Sequence, residues 1–157
     1  MITIRKINSS EAQLISDLAM RSKAHWGYDN EFMAACVDEL SYSAEQIIND
    51  DFRYYLAEEN GSLLGFYMLN NLANETVLLE ALFVEPSHIG KGVGRRLLKH
   101  AIQTAKRCGA AALEAQSDPY AEPFYVAMGA TITGRKESGS IPGRLLPMIN
   151  IQLNSAE

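Results

Sequence analysis

The sequence predicts a mixed α/β fold, with helices on both faces of one central sheet of about seven strands. Three observations carry that prediction. Thr76 to Val84 holds an almost unbroken apolar run, Val77-Leu78-Leu79-Glu80-Ala81-Leu82-Phe83-Val84, which suits a central strand covered on both faces. Asn60-Gly61 stands between two strand-like runs and favours the tight turn that matches strand twist. From Val93 onward, Leu97, Leu98, Ala101, Ile102, Ala105 and Cys108 follow one helical stripe, while Arg95, Arg96, Lys99, Gln103, Lys106 and Arg107 face away.

Each element can be justified in order. Ile2 to Ile7 alternates as a strand at or near a sheet edge. Ser9-Ser10-Glu11 offers cap residues for a helix in which Leu14, Ile15, Leu18, Ala19 and Ser22 recur at helical spacing, ending about His25. His25-Trp26-Gly27-Tyr28-Asp29-Asn30-Glu31-Phe32 then gathers aromatic rings around a glycine. Asp29 or Asn30 caps a second helix through Met33, Val37 and Leu40, and Ser43 starts a short third one through Ile48. Phe52–Glu59 and Ser62–Asn70 are the hairpin strands, and Thr76–Val84 is the central strand. After the long helix, Gly109 suits its C-cap, and Ala110–Ala115 reads as a short buried strand ended by Ser117-Asp118-Pro119. A helix from about Pro119 to Met128 stops at Gly129. Ala130–Arg135 is a strand, Glu137–Pro147 a Gly/Ser/Pro-rich loop, and Met148–Leu153 the last strand. No repeat or linker interrupts this order, so residues 1–157 are expected to form a single domain.

Composition narrows the function classes. With 47% hydrophobic and 21% charged residues, the chain is expected to be an ordinary globular protein. No stretch approaches the roughly 20 apolar residues that cross a bilayer, and the N-terminus lacks a secretory apolar core, so a cytoplasmic protein with no membrane partner is expected. A net charge of −5 disfavours a general nucleic-acid surface and is compatible with a cationic substrate. Cys36 and Cys108 form no CxxC pair and have no histidine at ligand spacing, so no metal site is expected and both read as buried small apolar residues.

The stretch Val84 to Leu98 runs from strand to glycine-rich turn to helix, and that is anion-binding equipment. Gly90, Gly92 and Gly94 let the backbone approach a ligand closely, and the helix start offers free N–H groups with Lys91, Arg95 and Arg96 beside them. The spacing matches neither a P-loop nor a dinucleotide fingerprint, since Leu97 stands where the last glycine of the latter belongs.

At Ile89-Gly90-Lys91-Gly92-Val93-Gly94 the sequence resembles the GNAT-type N-acetyltransferase superfamily. It fits both glycines of that family's Gln/Arg-x-x-Gly-x-Gly/Ala signature and departs at the first position, where Ile89 stands. Ser117 to Ala130 resembles the family's second coenzyme segment: Ala121, Phe124-Tyr125 and Gly129 match, and Ala130 replaces a usual Phe. The resemblance implies a mostly antiparallel sheet and transfer of acetyl from acetyl-CoA to a primary amine of a small molecule or of a peptide or protein, by direct attack in a ternary complex. It implies that Leu82, Phe83 and Val84 hold the pantetheine arm through their backbones, that Ile89, Gly90, Lys91, Gly92, Val93, Gly94 and Arg95 meet the pyrophosphate, and that Asp118, Ala121, Phe124 and Tyr125 complete the coenzyme site.

Tyr125 matches the family tyrosine that protonates the departing thiolate, and a tyrosine is protonated at neutral pH, as a general acid must be. For the base, Glu80 is the one charge in an apolar strand, where burial would raise its proton affinity. His25, His88, Glu122 or water alone are the alternatives. His25, Trp26, Tyr28 and Phe32 lie where the family builds its acceptor pocket, and Arg144, on a strand-connecting loop, could receive a carboxylate. A homodimer through the last strand and loop remains open. The competing reading is a non-enzymatic acyl-CoA-binding regulatory module, which would need the glycine turn but not Tyr125.

Overall fold

The computed structural model describes residues 1–153. Among them seven strands form one sheet in the order β1-β2-β3-β4-β5-β7-β6. These are β1 (Thr3–Lys6), β2 (Arg53–Glu59), β3 (Ser62–Asn70), β4 (Thr76–Val84), β5 (Ala112–Gln116), β6 (Thr131–Glu137) and β7 (Leu145–Gln152). Every neighbouring pair is antiparallel except β4 with β5. The helices are α1 (Ala12–Ala24), α2 (Asn30–Cys36), α3 (Ala44–Ile48), α4 (Val93–Arg107) and α5 (Glu122–Ala127).

Local chemistry sets the boundaries. Asn60 and Gly61 both take positive φ, 52° and 81°, which is the turn that suits a two-residue hairpin. Asp29 caps α2 by accepting from the Phe32 N–H at 2.8 Å, and Ser43 with Gln46 closes a capping box at α3. The expected helices after Asp29 and Pro119 are shorter than the periodicity suggested: α2 ends at Cys36, and Pro119–Ala121 is a 3-10 turn ahead of α5. The expected loop to Pro147 contracts to residues 138–144, because β7 begins at Leu145 and takes Pro147 into the sheet opposite Arg135. The partner on its other side, β5, pairs with β7 only from Met148 onward, so the missing N–H breaks no bond to that strand. Cys36 is buried as expected, but Cys108 is exposed, since it forms the C-cap of α4 where the chain turns at Gly109.

The sheet separates two apolar cores. On one side Tyr67, Leu69, Val77 and Leu79 pack with Leu97, Leu98 and Ala101 of α4. On the other, Phe66, Met68 and Ala81 pack with Ile15, Leu18 and Ala19 of α1. Strand β3 alternates between them from Phe66 to Leu69. Strand β4 does not: Val77 and Leu79 belong to the α4 core, yet Ala81 belongs to the α1 core. A bulge explains the change. Met68 pairs with Ala81 and Leu69 with Leu79, so Glu80 is the extra residue, and beyond it the two faces of β4 exchange.

Candidate active site

The bulge coincides with a parting of the sheet. Strand β4 pairs with β5 from Thr76↔Ala112 to Leu79↔Ala115 and no further, although β4 itself continues to Val84. Strand β5 instead follows β7, pairing up to Gln116↔Met148, with the Ser117 N–H donating to the Pro147 carbonyl at 2.9 Å. The edge of β4 that faces β5 is thus unpaired from Glu80 to Val84. It opens into a cleft of about 800 Å³ lined by that edge, the glycine turn, α5 and the β6–β7 loop.

At the end of β4 the chain passes through a 3-10 turn, Pro86–His88, into the glycines. Gly90 and Gly92 take φ values of 84° and 87°, conformations that any side chain would strain. Among the described residues the N–H groups of Gly92, Val93, Gly94 and Arg95 have no backbone acceptor, while the Arg96 N–H closes the first helical bond to the Gly92 carbonyl. No acidic residue sits in the first turn of α4, so the positive end of the helix dipole is unopposed. Gly94 packs closely: a Cβ there would lie 3.5 Å from the Phe124 ring and from Val84.

Helix α5 closes the cleft from the other side of the turn. Tyr125 is buried in the α4 core and also lines the cleft, with Phe124 edge-on to it at 5.2 Å. Burial pushes the Tyr125 phenol above its ordinary range. Among the described residues its hydroxyl makes no hydrogen bond to protein and is not fully enclosed, and the side chain lines the cleft.

A polar cluster stands at the acceptor end. The Asp118 carboxylate accepts from Lys23 Nζ at 2.7 Å, from the Tyr28 hydroxyl at 2.9 Å and from the Tyr120 N–H at 2.9 Å, with Arg144 Nη2 3.5 Å away. Burial pushes its pKa up, but Lys23 and these hydrogen bonds outweigh that and hold it below the usual carboxylate range. Tyr28 and Phe32 stack at 3.9 Å, and the Arg144 guanidinium lies over both rings, 5.1 Å and 4.9 Å from their centroids. Trp26 stacks on Tyr120 at 5.2 Å.

The structure brings some of the expected site residues together and leaves others apart. Leu82, Phe83, Val84, Ile89, Gly90, Gly92, Gly94, Arg95, Ala121, Phe124 and Tyr125 line one cleft, with Trp26 and Arg144. Val93 turns its side chain into the core and Lys91 is exposed outside the lining, so these two offer the cleft backbone and long-range charge only. His25 is exposed, edge-on to Trp26, and lies outside the lining. Tyr28 and Phe32 support Arg144 from behind rather than lining the cleft themselves. Asp118 lines the cleft but is held by Lys23 and Tyr28, not turned to the glycine turn. Glu80 is not buried: the bulge puts it in solvent at the cleft, where it accepts from Asn70 Nδ2 at 2.7 Å. Lys23 and Tyr120 were not anticipated. Lys23 reads as an ordinary charge in the last turn of α1, and only the fold brings it to Asp118.

Residues 17–130 match the model of the Acetyltransferase (GNAT) family. The chain belongs to the GNAT acetyltransferase family. It is similar to the L-methionine sulfoximine/L-methionine sulfone acetyltransferase of Salmonella typhimurium, 28% identical over 125 residues that cover 74% of this chain and 71% of that protein. It is also similar to the peptidyl-lysine N-acetyltransferase YjaB of Salmonella typhimurium, 26% identical over 153 residues, 96% of this chain and 97% of that protein. Its fold is shared with the PaiA N-acetyltransferase of Thermoplasma acidophilum, a structure in complex with coenzyme A, at a TM-score of 0.78 and 20% identity over 97% of this chain and 99% of that one. As a GNAT enzyme the chain is an acetyl-CoA-dependent N-acetyltransferase. The residues present fit that donor: unpaired helix-start amides suit its pyrophosphate, and an unpaired strand edge suits its amide-bearing arm. No helix among the described residues is long and apolar enough to cross a membrane.

Proposed function

We propose that this GNAT enzyme transfers acetyl to a primary amine of a small molecule or of a peptide or protein, by direct attack with both substrates bound together. The observation that carries the reading is the parting of β4 from β5 past Leu79 and Ala115, in one cleft with the glycine turn and Tyr125. Bound acetyl-CoA supplies an acyl group already activated as a thioester. The amides of Gly92 to Arg95 receive the pyrophosphate charge, with Arg95 beside them. Main-chain groups of Leu82, Phe83 and Val84, unpaired toward β5, hold the arm and orient the acyl carbonyl. The Tyr125 hydroxyl donates its proton to the departing sulfur. Glu80, open to water in the same cleft, takes the proton of the attacking amine through solvent.

The two relatives support an amine acceptor, one named for a small amino acid derivative and the other for peptidyl lysine. The test is to incubate the protein with acetyl-CoA and a panel of amino acids, polyamines and lysine peptides, following free thiol and the mass of each acceptor. Thiol release matched by equimolar acetylated amine is expected. Tight coenzyme binding with no thiol release across the panel would contradict the reading and favour a non-enzymatic acyl-CoA-binding module.

A further inference from the structure

The charges around Asp118 do not balance, and the imbalance faces the cleft. Two cations, Lys23 and Arg144, converge on one carboxylate. Asp118 already accepts from Lys23, Tyr28 and the Tyr120 N–H, and its contact with Arg144, at 3.5 Å, is the longest of the four. Arg144 Nη2 donates to the Tyr28 hydroxyl, and among the described residues its other N–H groups find no acceptor. The side chain is only 17% exposed, fixed over two stacked rings, and what it exposes lines the cleft. A guanidinium held this way keeps N–H groups that no protein acceptor meets and that stay open to solvent, and its planar edge matches a carboxylate. The same cleft is lined by the carboxylates of Glu80 and Glu39, so it offers a positive place and negative ones to a single ligand.

We infer that the acceptor is a free amino acid or a close amino-carboxylate relative, with Arg144 binding its carboxylate, Lys23 reinforcing the positive field, and the amine presented toward β4. This rests on the reading that the cleft acetylates an amine. Tyr28 and Phe32 act as positioning residues that hold the guanidinium beside their stacked rings. An acidic side chain in a peptide is the other source of the same group.

The experiment compares kcat/KM for amino acids, their carboxamides and short lysine peptides with and without acidic residues, in the unaltered enzyme and in Arg144→Gln and Arg144→Lys. Acids should exceed amides by at least about tenfold, mainly through KM. That ratio should collapse in Arg144→Gln and recover in part in Arg144→Lys, whereas a merely structural loss would lower both rates together. As a binding readout, Trp26 is the only tryptophan and lines the cleft. An N-acetyl amino acid should change its fluorescence at concentrations where the N-acetyl amino amide does not. Equal kcat/KM for acids and amides, or a ratio unchanged in Arg144→Gln, overturns the carboxylate site and leaves the transferase reading standing. Preference confined to acidic peptides overturns the assignment to free amino acids. Absence of thiol release with every acceptor overturns the transferase reading, and the inference falls with it.

Discussion

Burial of Tyr125 in the α4 core raises its phenol above the ordinary value near 10, so the hydroxyl keeps its proton throughout the range in which an amine acceptor becomes neutral. The sign of the pH dependence follows. Activity should rise as the acceptor amine deprotonates and should show no descending limb from Tyr125 below about pH 10. Tyr125→Phe keeps the ring packed and removes only the proton, so kcat should fall by about 10²-fold while coenzyme affinity is retained, read by steady-state kinetics beside a coenzyme titration. Unchanged kcat would remove the general-acid role. Tyr125 was legible in the sequence because Phe124-Tyr125 and Gly129 stand in a recognisable segment. Glu80 was legible only as a residue: its exposure depends on a bulge that an apolar run does not announce. Lys23 was not legible, because a lysine in the last turn of a helix has an ordinary explanation and its partner lies 95 residues away.

At the scale of elements, β4 and α4 began where the sequence placed them, and of the three turn glycines Gly90 and Gly92 take the left-handed region while Gly94 lies inside α4. A glycine outside the turn was not singled out. Gly65 lies inside β3 opposite Val84, and a Cβ there would sit 2.6 Å from the Phe83 carbonyl oxygen and 2.9 Å from Leu97 Cδ1. An interior strand glycine can signal such a close approach, yet the neighbour it admits is visible only once β4 and α4 are folded over it. Backbone oxygen cannot yield as a flexible side chain would. Gly65→Ala should therefore cost about 1–3 kcal/mol in urea unfolding and weaken coenzyme binding by displacing the end of β4. A variant with unchanged unfolding midpoint and unchanged coenzyme affinity would show that β3 and β4 are not coupled this way.

For the whole molecule, one sheet does two jobs. Its continuous half, β1 to β4, separates two cores and gives α1 and α4 fixed seats, while its parting between β4 and β5 makes the cleft. The chain as a whole carries a net charge of −5, yet Lys91, Arg95 and Arg96 gather at the start of α4, so the donor site is locally positive on an acidic protein. The seven strands and the hairpin at Asn60-Gly61 were readable from alternation and turn residues. The parting was implied only by the family resemblance, through the backbone role given to Leu82, Phe83 and Val84, because its position depends on where β5 changes its allegiance from β4 to β7, a long-range pairing choice with no local signature. The central claim is that main-chain groups at this parting and at the helix start bind the donor. Amide hydrogen exchange with and without coenzyme A tests it most directly. The account predicts slowed exchange at Gly92 to Arg95 and along Leu82 to Val84, and coenzyme-dependent protection that leaves both of these segments unchanged would contradict it.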